Sequence, residues 1–235
     1  LYFKFIGYFY SNRSFLNKYG FTKETNDELI KNIGKLKNSS NQTIERWDEV
    51  ANEISDQLNY NDINFLRNSY VKSAIHNEQY YYSWLYLKEL RKKYSIKTLK
   101  NNCKDIGLCN PLNDICLRGA SPQSLKNFYL LNKIQEKFNI NLNEVNLITE
   151  FGGGYGSMCR VALNNLGLSD IKWEIMDLPI MLELQKAYLK ESLSTKKFNQ
   201  VGFHESTRKI FPVNKSLFIA TWSLSETPIE LRESM

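Results

Sequence analysis

The apolar positions of this chain change period near its middle. Ile44, Trp47, Ala51, Ile54 and Leu58 follow the three-and-four spacing of one helix face. A second helix is predicted over roughly 78–94, "EQYYYSWLYLKELRKKY", with Tyr82, Leu85, Tyr86 and Leu90 on one stripe. Arg91, Lys92 and Lys93 close it, where cations suit the helix dipole. Its triple tyrosine reads as core or interface rather than as a stacking platform for sugars or bases. Between about 98 and 120 the pattern breaks into "LKNNCKDIGLCNPLNDICLRGA", punctuated by Gly107, Pro111 and Gly119, and reads as a linker. Ser121 then caps a helix that has Pro122 at its first position, with Leu125, Phe128, Leu131, Ile134 and Phe138 as its buried face.

From residue 145 strand and helix patterns alternate. "VNLITEF" is short, apolar and bounded; "SMCRVALNNLG" carries Met158, Val161, Ala162 and Leu166 at helical spacing and stops at Gly167; "IKWEIM" alternates Ile171, Trp173 and Ile175. "PIMLELQKAYLKESL" is helical through Met181, Leu184 and Tyr188, "NQVGF" is a weaker strand, and "SLFIATW" at 216–222 is a buried one. Strands separated by helices pair in parallel through right-handed crossovers, so the expected fold class is α/β, a Rossmann-like open sheet behind an α-helical region. The expected organisation is a helical N-terminal region over 1–100, a linker over 101–120 and a Rossmann-like domain over 121–235.

Composition narrows the partners. At 235 residues, 42% hydrophobic and 13% aromatic, the chain can bury a substantial core, which excludes a disordered polypeptide. Its net charge of +6 comes from lysines scattered among asparagines and isoleucines, with no run of five like charges, so nucleic acid is not expected as a partner. Cys103, Cys109, Cys116 and Cys159 lack the paired spacing of zinc sites and read as free thiols of a reducing compartment. The opening "LYFKFIGYFY" is well short of the roughly twenty apolar residues a membrane helix needs and lacks a signal-peptide layout. No membrane span and a cytoplasmic location are expected. Thr227 as N-cap, Pro228 at the first helical position and Glu230 as capping-box partner predict a helix that has barely begun when the sequence stops at Met235. With Leu1 rather than Met at the start, the chain reads as a fragment.

Chemistry concentrates in "TEFGGGYGSMCR", residues 149–160, at the turn from the first strand of the sheet into its first helix, where ligands of such folds bind. Glycine there permits positive φ and lets a ligand lie against bare backbone, while the helix start behind it offers unpaired N–H groups. A dinucleotide fingerprint counted from Gly152 would need glycine where Ser157 stands. The alternative, an acid followed by x-G-x-G-x-G, is met by Glu150, Gly152, Gly154 and Gly156, the form that accompanies S-adenosylmethionine. Gly153 and Tyr155 belong to the same loop. Asp177, about twenty residues further on, closes the second strand, where a carboxylate can accept both hydroxyls of an adenosine ribose. Leu178 follows it, and Pro179 forces "MDLP" into a turn. Glu150 would lie near the ammonium end of the cofactor.

"EFGGGYGSMCR", "IMDLPIMLELQKAYLKESL" and "LFIATWSLSETPIELRE" together resemble the sugar O-methyltransferases of bacterial surface-polysaccharide clusters, a branch of the class I S-adenosylmethionine-dependent methyltransferases. The resemblance covers about 147–232, and more loosely "IGLCNP" with the Ser121 helix. It implies a seven-stranded sheet of which four strands are present, and hence weak cofactor binding or poor solubility for this stretch alone. Plant small-molecule O-methyltransferases share the G-G-G-x-G turn and the D-L-P, but Ser225 stands where their basic histidine falls.

The expected reaction is therefore transfer of a methyl group to a sugar hydroxyl in glycan biosynthesis, with a small-molecule or glycan substrate. Methyl transfer is an in-line displacement, and the alcohol needs a base to take its proton. Glu226, at the carboxyl end of the fourth strand, is the candidate. His204 and Glu205 lie where many class I methyltransferases contact the adenine, and His76 reads as structural. No metal constellation is visible. The rival expectations are a methyltransferase acting at O or N of another small molecule, and a non-catalytic nucleotide-fold scaffold. The helical N-terminal part is read as a cover over the site, a homo-oligomer contact or a dock for other enzymes of the pathway.

Overall fold

In the computed structural model, the structure describes residues 18–36, 64–68, 80–168, 170–205 and 214–221, with Glu53, Ile54, Asp56, Val71, Ser223, Thr227 and Ile229 as single positions. Contacts divide the chain into two compact units, Leu1–Lys133 and Ile134–Met235. The expected helix from Ile44 and the helix begun at Thr227 lie outside the described residues apart from single positions.

The regular elements of the first unit, among its described residues, are helices. Helices α1 (Lys23–Leu36), α2 (Tyr80–Leu90) and α3 (Ile96–Asn102) precede α4 (Pro122–Phe138), whose last residues belong to the second unit. The starts of α3 and α4 have a local cause. Ser95 Oγ accepts from Thr98 N–H at the head of α3. At the head of α4, Ser121 and Ser124 exchange side chain-to-backbone bonds of 3.0 Å in both directions, a reciprocal cap in front of Pro122. Residues 101–120 are knitted to that cap. Asp105 accepts from Ser121 Oγ at 2.5 Å, Ser124 Oγ donates to the Cys103 carbonyl, and Asp114 takes the N–H groups of Cys116 and Leu117 together with the hydroxyl of Ser83. The buried side of α2 is Ser83, Leu87 and Leu90, whereas Tyr82 is exposed, because the Ser83 bond to buried Asp114 fixes the rotation of the helix. Leu125, Phe128 and Leu131 of α4 are buried as expected; Phe138 is 65% exposed at the helix end.

The second unit holds a four-stranded, wholly parallel sheet: β1 (Leu147–Phe151), β2 (Lys172–Asp177), β3 (Val201–Glu205) and β4 (Ser216–Ala220), in the order β3-β2-β1-β4. Between β1 and β2 the chain forms the short helix α5 (Ser157–Arg160), which continues as a π-helical turn over Val161–Asn165; between β2 and β3 it forms α6 (Pro179–Ser192) and α7 (Thr195–Phe198). The core is apolar where the pattern requires it, with Ile148, Ile171, Trp173, Ile175, Met181, Leu184 and Tyr188 all buried. This mixed α/β arrangement is compatible with a Rossmann-like fold. Its strand order steps one way from β1 to β3 and then reverses to place β4 on the other side of β1. That reversal is the topological switch point, where such sheets bind ligands beyond their carboxyl ends.

Candidate functional site

Register decides which side chains meet below the glycine loop. Ile148 pairs with Trp173, Glu150 with Ile175, and Asp177 with Glu205, so Glu150, Trp173 and Asp177 lie on one face of the sheet. On that face the Trp173 indole donates from Nε1 to Glu150 Oε2 at 2.9 Å, with both side chains buried. Loss of hydration pushes the Glu150 carboxyl up to about 8, against the pull of the indole bond and with a push from Asp177. Cys159, on α5, is raised as well, by burial first and by Glu150 second.

Asp177 ends β2 half-buried, and its carboxylate is a hub. Oδ1 accepts from the Leu178 N–H at 2.8 Å, Oδ2 accepts from Gln185 Nε2 at 2.7 Å, and the Gly153 N–H also reaches the carboxylate. Burial outweighs these three bonds and raises its carboxyl to about 6. The same Gln185 Nε2 donates to the Gly154 carbonyl at 2.9 Å. Neither Glu150 nor Asp177 is paired with a cation among the described residues.

The loop itself winds through positive φ at every second residue, 74° at Gly152, 58° at Gly154 and 90° at Gly156. Side chains would be strained at all three. Its bareness serves the protein as much as any ligand. A Cβ at Gly152 would collide with the Cβ of Ser223, whose hydroxyl donates to the Phe151 carbonyl across the switch point. A Cβ at Gly153 would meet Ile175 Cγ2 at 3.0 Å, and one at Gly156 would meet Leu189 at 3.1 Å. At three of the loop's four glycines the missing Cβ thus also makes room for the fold itself.

The other expected residues fall in different places. Tyr155 is a core side chain, 2% exposed, edge-to-face with Tyr188 at 4.9 Å between ring centroids. Leu178 contributes its backbone N–H and stands before α6 as its N-cap. Glu205 is beside Asp177 in register and exposed, whereas His204 lies on the opposite face, where its Nε2 meets Glu174. Glu226 and Ser225 lie outside the described residues, as does His76. Trp173, Gln185 and Ser223 are the residues sequence reasoning missed.

A cavity of about 440 Å³ opens at the other end of the sheet, lined by Asn139, Ile140, Asn141, Glu144, Val145, Lys215, Ser216 and Leu217, and holds none of the expected site residues. Among the described residues no group of three or more His, Cys, Asp and Glu could hold a metal ion, and no helix is long and apolar enough to cross a membrane. The four cysteines are free. No family model, curated protein or solved structure matches the chain.

Proposed function

We propose that this chain is an S-adenosylmethionine-dependent methyltransferase that methylates a sugar hydroxyl in glycan assembly. The observation that carries the reading is a pair of buried acids below the glycine loop with no cation beside them among the described residues. Glu150 and Asp177 share one sheet face beside the switch point, each held by neutral donors and neither paired with a cation among the described residues. Burying carboxylates without a counter-charge is costly, and a ligand bringing positive charge offsets that cost. A sulfonium and an ammonium on a nucleoside suit such a site. A dinucleotide's pyrophosphate would lie on the loop beside Glu150, and Ser157 already breaks that fingerprint.

Bound there, the cofactor would supply a methyl group on a leaving group that needs no proton. The chain's own residues do the rest. Glu150 faces the cationic end, Asp177 offers its remaining acceptor capacity to a ribose hydroxyl, and the alternating glycines let the loop turn over the ends of β1 and β2. Positioning the acceptor oxygen in line accounts for most of the rate. Glu226 is the proposed base, and its replacement by Gln should cost about 10²–10⁴ in turnover.

The substrate class rests on the resemblance to sugar O-methyltransferases. Transfer of radiolabelled methyl groups to a panel of sugar nucleotides and lipid-linked glycans tests it. Label appearing only on non-sugar acceptors would replace the substrate, and failure to bind S-adenosylhomocysteine while NADH binds would replace the cofactor.

A further inference from the structure

Gln185 is wholly buried on α6, eight residues beyond Asp177, and its amide nitrogen spends both protons inside the candidate site. One goes to the Gly154 carbonyl at 2.9 Å and the other to Asp177 Oδ2 at 2.7 Å, so a single side chain ties the loop after β1 to the carboxylate that ends β2. The same nitrogen would lie 3.3 Å from a Cβ at Gly153, behind Ile175 Cγ2 at 3.0 Å. A carboxylate offers about four lone-pair sites. At Asp177 the Leu178 N–H, the Gly153 N–H and Gln185 occupy three of them.

We infer that Gln185 is a positioning residue, which locks the glycine loop and Asp177 into one unit and leaves that carboxylate a single aimed acceptor for a ligand hydroxyl. A buried glutamine with two donors in use and none directed to solvent is otherwise a poor choice for a helix that could carry leucine there. The acids that face Asp177 are Glu150 from β1, which interacts with it electrostatically, and Glu205 beside it on β3; on α6 itself Glu183 and Lys186 pair with each other at 2.5 Å. None of them bridges the two elements as Gln185 does.

This role rests on the nucleoside reading only for its ligand arm. Without ligand, Gln185→Met keeps the volume and the helix propensity while removing both donors. Carboxyl ¹³C titration should then show the Asp177 midpoint rise by about half a unit or more, since a lost donor disfavours the charged form. Backbone amides at 152–156 should exchange at least ~10-fold faster. An unchanged midpoint together with unchanged exchange overturns the inference. If Gln185→Met does not fold, Gln185→Asn, which keeps the amide but shortens its reach, takes its place with the same two readouts. With S-adenosylhomocysteine, calorimetry from pH 5 to 8 should show affinity falling as Asp177 is protonated, at a higher pH in the variant than in the wild type. Wild-type protein that fails to bind S-adenosylhomocysteine overturns the ligand reading, while the ligand-free arm still decides the part played by Gln185.

Discussion

The indole nitrogen of Trp173 donates to Glu150 Oε2 across 2.9 Å, on a sheet face where neither group meets water. A neutral donor satisfies the carboxyl in either protonation state but does not cancel its charge. That makes the pair sensitive to pH. The Glu150 carboxyl lies at about 8 in the folded chain against 4.5 as its ordinary value, and Asp177 at about 6 against 3.8. Both are raised, so the folded state binds protons that the unfolded state has released. Their contribution to stability is complete below about pH 4 and is lost as pH rises through 6 for Asp177 and through 8 for Glu150. Denaturant unfolding should therefore show stability falling from pH 5 to 8, and Glu150→Gln should flatten the fall above pH 6 and be the more stable protein at pH 8. A wild-type curve that rises over this range would show Glu150 to be ionised in the fold.

Two glycines separate backbone strain from crowding. Gly152 and Gly167 have φ of 74° and 69°, but a Cβ at Gly167 meets nothing within 4 Å while one at Gly152 runs into Ser223. Gly167→Ala should cost about 1 kcal/mol. Gly152→Ala should cost about 2 kcal/mol more from overpacking. Adding Ser223→Gly should recover most of that excess, a coupling that a double-mutant cycle measures directly. Equal costs for the two alanines would mean Ser223 does not pack where the structure has it.

Tyr155 supports the loop from below. Truncation to Ala should destabilise the second unit by about 3–5 kcal/mol, as for other buried aromatics. Tyr155→Phe keeps the edge-to-face contact with Tyr188 and should leave ligand affinity within about twofold.

Much of this was legible because it is local. The alternation of Ile171, Trp173 and Ile175, the cap at Ser121 and the run from Pro179 match the observed β2, α4 and α6 closely, since period and capping are written in neighbouring residues. The weaker strand near 199–203 lies two residues later, at Val201–Glu205, because Asn199 and Gln200 close the turn after α7. The helix read over 157–167 is α-helical only to Arg160 before its π turn, which apolar spacing does not mark. The contacts that define the site were hidden for a different reason. Trp173 reaches Glu150, and Gln185 reaches Gly154 and Asp177, only once strand register and helix rotation are fixed, and neither is encoded within a short window. Burial of Tyr155 and the turning of His204 onto Glu174 were hidden in the same way.

A cationic ligand beside Glu150 should expel its proton. Calorimetric binding of S-adenosylhomocysteine at pH 7 should release a substantial fraction of one proton per site, read from the dependence of the heat on buffer ionisation enthalpy. Glu150→Gln should abolish the release. Proton uptake on binding would place the positive end of the ligand elsewhere.

The most direct test is the affinity of S-adenosylhomocysteine for the wild-type chain and for Asp177→Asn, with circular dichroism confirming that both are folded. Wild-type binding that NADH does not compete away, weakened about 10–100-fold by loss of a charged acceptor, is the predicted result. Equal affinity of the two proteins, or displacement by NADH, would contradict a nucleoside held between Asp177 and the glycine loop.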